Sequence, residues 1–172
     1  MARVGKRLFW AIIALVLAAD IATKLAAEQL LFRYSPIQVL GDVVQLRLVY
    51  NPGAAFGFYL GPQSRWIFLA LAIVALIVLA SMARVTPPSD RFRLVSLALV
   101  CAGAAGNVID RLRSGQGVVD FIDVGVGTLR WPTFNLADSA VTCGAIALAI
   151  SLWLEGRAAR QVGAADSSLS SG

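Results

Sequence analysis

The chain of 172 residues contains no histidine and only two cysteines, Cys101 and Cys143. The missing histidine removes Ser-His-Asp and Cys-His catalysis and HExxH zinc chemistry. Two cysteines supply neither a CxxC pair nor a cysteine-rich metal site. Both are expected to behave as small buried apolar residues, with no disulfide. Charge is also scarce. Asp, Glu, Lys and Arg make up 15% of the chain, against about 25% in a typical soluble domain. Enzymatic chemistry here would rest on the ten Asp and Glu, or on Ser, Thr or Lys.

Apolar residues are abundant. The chain is 58% hydrophobic, with a mean hydropathy of +0.75. A soluble domain of this size could not hide that much apolar surface. The net charge of +5 comes from basic residues beside apolar runs, and no basic stripe is interleaved with aromatics. Such residues set membrane topology, and no nucleic-acid partner is expected.

Four segments approach the roughly 20 apolar residues that a membrane-spanning helix needs. They run from about Leu8 to Leu25 (extending toward Leu31), Trp66 to Ala83, Phe92 to Ile109 and Phe134 to Leu154. Trp10, Trp66, Trp131 and Trp153 lie near span ends, where interfacial aromatics belong. Arg3, Lys6 and Arg7 precede the first span, Arg84, Arg91 and Arg93 crowd the link between the second and third, and Arg157 and Arg160 follow the fourth. The positive-inside rule puts both termini and that link in the cytoplasm. Two long loops, about 32–65 and 110–133, then face outward. The basic N-terminus and apolar run also fit a signal peptide. The apolar stretch resumes past Asp20 and three more spans follow, so an uncleaved first helix is expected.

Within the outer loops, Val44, Leu46 and Leu48 alternate with Gln45, Arg47 and Val49, a strand pattern. Val118–Val126 is rich in Val and Ile, and Gly125–Gly127 marks a turn. A small outer sheet is expected. The tail 161–172 is Ser- and Gly-rich and is expected to be disordered; residues 1–160 form one domain.

Charges inside spans cost roughly 2.5–3.5 kcal/mol on insertion scales, so each invites a functional reading. Asp20 and Asp138 are the acids inside apolar runs. Asp20 lies in the outer half of its helix, with Lys24 one turn on, and the two could simply pair there. Asp138 lies near the outer end of the fourth span. Asp42, Asp110, Asp120 and Asp123 share that side and compete as its partner. Two close carboxylates could share a proton, one taking a proton from water while the other polarises a carbonyl. A small transporter with Asp20 and Asp138 as relay sites is a rival reading, as is a non-catalytic assembly factor. Asn51 and Asn107 could serve as turn or helix caps. The small-residue run Ala102–Gly106 suits close helix packing.

Five short motifs occur in order: Asp20-Ile-Ala-Thr-Lys24, Asn51-Pro-Gly-Ala-Ala-Phe-Gly57, Gly106-Asn107 with Asp110-Arg111, Val118-Val-Asp-Phe121 and Phe134-Asn-Leu-Ala-Asp-Ser139. Each is weak alone. Together, in a four-span chain, the set resembles the prolipoprotein signal peptidase (signal peptidase II) family from about Leu8 to Leu154. That resemblance implies a four-helix membrane protein, with a small β-sheet and a short helix on the outer, periplasmic face. The sheet maps to Ile37–Tyr50 with Val118–Val126, and the helix to about Gly53–Leu60. It implies an intramembrane aspartic endopeptidase of the bacterial inner membrane, active near the outer face. The substrate would be a diacylglyceryl-modified prolipoprotein, cut just before the lipidated cysteine. Asp120 and Asp138 would be the catalytic dyad. Asn51, Asn107, Arg111 and Asn135 would bind substrate or hold the dyad. Asp20, Lys24, Gly53 and Asp110 would give structural support. No cofactor or metal is implied, membrane lipid surrounds the protein, and a monomer is expected.

Overall fold

The computed structural model describes residues 2–33, 35–55, 58–59 and 61–170. Its elements in chain order are α1 (Ala2–Leu30), β1 (Ile37–Leu40), β2 (Val44–Asn51), β3 (Ala54–Ala55), β4 (Phe58–Tyr59), α2 (Ser64–Val85), α3 (Arg91–Arg113), β5 (Val118–Val126), β6 (Leu129–Arg130) and α4 (Leu136–Ser170). Gly5–Leu30, Ser64–Val85, Arg91–Arg113 and Leu136–Gln161 are each long and apolar enough to cross a membrane. These match the four expected spans, each running a turn or so beyond its apolar stretch. Helix continues at the ends because Arg91, Arg113 and similar residues can keep their charges in the interface while their stems cover apolar surface.

Helix α3 is the axis of the bundle. Half of its apolar window is buried, against 6% for α2, and α1, α2 and α4 all pack against it. Small residues allow the close approach, since lipid offers no hydrophobic drive between helices and packing must supply the attraction. A Cβ on Gly103 would collide with the Ala137 carbonyl of α4, and one on Gly144 would stand 2.8 Å from the Ser96 carbonyl. Phe9, Leu94, Leu97, Ala98 and Cys101 form the core at the end of the bundle away from the sheet. There Arg93 pairs with Asp90 at 3.3 Å and Glu155 at 2.7 Å, tying α3 to α4.

Four strands sit at one end of the helix bundle in the order β1-β2-β5-β6, every neighbour antiparallel. One face is seated on α1 through Leu48, Val119 and Phe121 against Ala27 and Leu31. Arg47 and Arg130 flank the buried Asp123 at 3.0 and 2.7 Å, and Arg130 also reaches Asp42. Phe134 exchanges backbone hydrogen bonds with Ile122, and Arg47 donates to Thr133. Together these fix the approach to α4.

Three expectations need correction. The stretch from about Gly53 to Leu60 is not a helix in its described residues: Ala54 pairs with Tyr59 and Ala55 with Phe58 as a two-stranded ribbon. Gly53 and Gly61 have φ of 120° and 83°, backbone that ends a helix rather than building one. The tail is helical to Ser170 as part of α4. Its alanines, Ala158, Ala159, Ala164 and Ala165, let a long span propagate where nucleation is already achieved. Cys101 is buried, but Cys143 is exposed, because it lines an open apolar groove with Leu15 and Ala19 of α1 and Leu99 of α3.

Candidate active site

Asp138 owes its position to a local motif. Asn135 sits just ahead of α4, and its Oδ1 accepts the Asp138 N–H at 2.9 Å. The Asp138 Oδ2 accepts the Asn135 N–H in return at 3.2 Å. This reciprocal pair is a capping box, with Asn as the cap and Asp three residues on. Asp20 reaches across from α1 and accepts the next free donor, the Ala137 N–H, at 2.9 Å. Two helix-terminal N–H groups are therefore satisfied by carboxamide and carboxylate oxygens, as an N-terminal turn requires.

Asp120 is placed by the sheet. Strands β2 and β5 pair Leu46 with Ile122 but Val49 with Asp120, so the register shifts by one residue between them. This bulge decides which residue faces the aspartate. Asn51 lies opposite Val118, and directly opposed residues share a face. Val118 and Asp120 are two apart, so Asn51 shares their face as well. Without the extra residue, the period of two would turn Asn51 away. Its Nδ2 donates to Asp120 Oδ2 at 3.1 Å, while its Oδ1 accepts the Gly53 N–H at 3.0 Å. Gly53 is needed there: a Cβ would stand 2.7 Å from the Arg65 nitrogen.

Asn135 joins the two aspartates. Its Nδ2 donates to Asp120 Oδ1 at 2.7 Å, and its backbone holds Asp138. Asn107 on α3 donates from Nδ2 to Asp138 Oδ1 at 2.8 Å. Each of the four carboxylate oxygens thus accepts one N–H. Asp120 is buried and Asp138 half-buried. Burial first, and repulsion from Asp138 second, push the Asp120 carboxyl up to about 7, against the pull of Asn51, Asn135 and Lys24.

The acids sort by their partners. Asp20, Glu28, Asp42, Asp90, Asp110, Asp123 and Glu155 each pair with a lysine or arginine. Among the acids whose side chains are described, which leaves out Asp166, Asp120 and Asp138 alone make no such pair, although both lie beside the buried Arg111. Arg111 donates from Nη1 to the Asn107 carbonyl at 3.1 Å, and its Nε is buried with no partner among the described residues. Arg65 clamps the Arg111 carbonyl with two donors. Among the described residues, no three His, Cys, Asp or Glu side chains group to hold a metal.

The structure therefore gathers Asn51, Asn107, Arg111, Asp120, Asn135 and Asp138 at one point. Asp20, Lys24 and Asp110 lie immediately behind it, and Gly53 at its rim. Asp42 and Asp123, competitors on sequence grounds, are bound up in the sheet's own ion pairs. The capping role of Asn135 was readable from its three-residue spacing to Asp138. The clamp by Arg65 leaves no sequence signature.

A family model described as Signal peptidase (SPase) II matches residues 12–154. A lipoprotein signal peptidase of Burkholderia mallei (strain SAVP1) is 46% identical over 136 residues, covering 78% of this chain and 80% of that protein. One from Francisella tularensis subsp. novicida (strain U112) is 38% identical over 137 residues, covering 78% and 84%. The fold is similar to a bacterial membrane enzyme solved by the in meso method at 2.3 Å resolution. The TM-score is 0.77 at 31% identity, over 86% of this chain and 88% of the other. A second such enzyme, at 1.9 Å, gives 0.72 at 32% identity, over 84% and 91%. The chain belongs to the signal peptidase II family.

Proposed function

We propose that this protein removes the signal peptide from diacylglyceryl-modified prolipoproteins, cutting just before the lipidated cysteine with Asp120 and Asp138 as its catalytic pair. The observation that carries the pair is the partner census: every other acid whose side chain is described makes an ion pair with a cation, and these two are held only by amide donors. Two carboxylates kept unpaired and close are suited to share one proton.

Asp120, the more buried and the one pushed up to about 7, holds that proton at rest. Asp138, half-buried at the helix N-terminus, is assigned the part of the base. Asp138 takes a proton from water as the water oxygen attacks the scissile carbonyl carbon. Asp120 gives its proton to the carbonyl oxygen. The tetrahedral intermediate collapses when the C–N bond breaks. Asp138 passes its proton to the leaving amine, and Asp120 recovers one from the collapsing hydroxyl. Water is consumed, an acid and an amine are released, and the pair returns to its starting state. Arg111 and Asn51 present donors that suit substrate carbonyls.

The protein is a multi-pass bacterial membrane protein. We place both termini in the cytoplasm and the pair at the outer face, from which a lipidated peptide reaches it sideways while its acyl chains stay in lipid. Both aspartates come from one chain, which suits a monomer. Asp120→Asn and Asp138→Asn, assayed on a diacylglyceryl prolipoprotein, are each expected to lose roughly 10³-fold in kcat. Full processing by both variants would overturn the reading.

A further inference from the structure

Lys24 is 1% exposed and is the largest fully buried side chain among the described residues. The mechanism above gives it no task. An ammonium has three N–H donors and no acceptor. Its three partners are Asp20 Oδ2 at 2.8 Å, Asp110 Oδ2 at 3.0 Å and Asn107 Oδ1 at 3.0 Å.

Each partner grips a different part of the site. Asp20 holds the Ala137 N–H, one residue before Asp138. Asp110 Oδ2 accepts the Val119 N–H at 3.2 Å, one residue before Asp120. Asn107 donates directly to Asp138. The last link is directional. An asparagine amide has nearly the same shape with its oxygen and nitrogen exchanged. Because Lys24 can only donate, it admits only the oxygen, and the NH₂ must then face Asp138. A flipped amide would set NH₂ against the ammonium and its oxygen against the carboxylate. Asn135 Nδ2 reinforces the choice by donating to the same Asn107 oxygen at 3.3 Å.

We propose that Lys24 is a positioning residue for the aspartate pair: it locks the Asn107 amide toward Asp138 and, through Asp20 and Asp110, sets the backbone on which each aspartate stands. This deepens the catalytic reading and rests on it. The charged and polar groups facing the pair are Lys24 from α1, Asp110, Asn107 and Arg111 from α3, Asn51 from β2, and Asn135 ahead of α4; Asp20 lies behind Lys24. Lys24 and Arg111 are the cations of that set. Removing Lys24 leaves Asp20 and Asp110 to make the region more negative, so the pair holds its protons to higher pH.

The test is Lys24→Met in the full-length enzyme, in detergent, with a synthetic diacylglyceryl lipopeptide as substrate. The expected result is a fall in kcat of about 10²-fold with little change in KM. The pH profile should also move upward by about one unit. A merely structural lysine would lower the amount of active enzyme and leave the profile in place, and that outcome overturns the proposal. So does an unchanged kcat. Should Lys24→Met fail to fold, the charge-balanced double variant Lys24→Met with Asp110→Asn decides. Its amide lock is still missing, so kcat stays low with KM held, and a wild-type kcat there overturns the proposal. Asp120→Asn and Asp138→Asn run alongside. If they still cleave, the catalytic pair itself is wrong. If they are dead while Lys24→Met is normal, only the role of Lys24 falls.

Discussion

Asp120 works against its own environment. Its carboxyl is raised to about 7 from an ordinary value of 3.8, chiefly by burial and next by Asp138. A folded state that binds the proton more tightly than the unfolded chain loses stability as pH rises between those two values. Above about 7 the loss is complete and the stability is flat. Asp120→Asn removes the titration. The thermal midpoint of the variant in detergent should therefore exceed that of the parent by more at pH 8 than at pH 5. An equal gap at both would contradict the raised carboxyl. The same group predicts that kcat/KM of the parent declines above about pH 7, as the proton donor is lost. Such a stability cost is common where a site must hold strained or charged groups. At this scale the sequence was informative but ambiguous. Depth in a span singled out Asp20 and Asp138, yet Asp20 belongs to Lys24, and among Asp42, Asp110, Asp120 and Asp123 only the family resemblance chose Asp120; the ion pairs supply the physical distinction.

The elements meet at Gly106. A Cβ there would collide with Asp20 Oδ2 and stand 3.5 Å from the Ala137 Cβ. Intrinsic propensity favours Gly106→Ala in a helix by about 1 kcal/mol. Close packing here opposes it, because the carboxylate that must move holds both Lys24 and the head of α4. The expected outcome is at least a roughly tenfold loss of kcat through displacement of Asp138, measured in the same cleavage assay. A fully active variant would show that the Asp20 anchor is dispensable. The helices themselves were legible from apolar length alone, and β2 from alternation. The bulge between Leu46 and Val49 was not legible. An extra residue in a strand shows only against its partner, so the register that brings Asn51 to Asp120 has no signature in either strand alone.

For the molecule as a whole, the distribution of arginine and lysine sets a testable orientation. In a background with Cys101 and Cys143 replaced by serine, Gln116→Cys lies in the exposed turn after α3, and Arg160→Cys lies near the far end of α4. A membrane-impermeant thiol reagent added outside spheroplasts should label Gln116→Cys and leave Arg160→Cys unlabelled. The reverse pattern would invert the topology and put the aspartate pair on the cytoplasmic side. The positive-inside rule expects the basic residues flanking the short link and the termini to stay in the cytoplasm. Of the six arginines in the two long loops, three are matched by carboxylates: Arg47 and Arg130 by Asp123, Arg113 by Glu28 and Asp110.

The amino-acid sequence alone determined the solvent and the number of spans, because apolar length acts residue by residue and needs no partner. It also excluded histidine, thiol and clustered-cysteine chemistry by simple absence. Beyond the choice its family motifs implied, it gave no physical ground for choosing among the loop carboxylates, since a carboxylate's protonation and freedom depend on which cation, amide or helix end lies beside it. Only the tertiary structure assigned those neighbours. It gave Lys24 to Asp20 and Asp110, arginines to Asp123 and Asp42, and amides alone to Asp120 and Asp138. The reason is physical: electrostatic identity is a property of contacts across distant parts of the chain, and the spacing of residues along it does not encode those contacts.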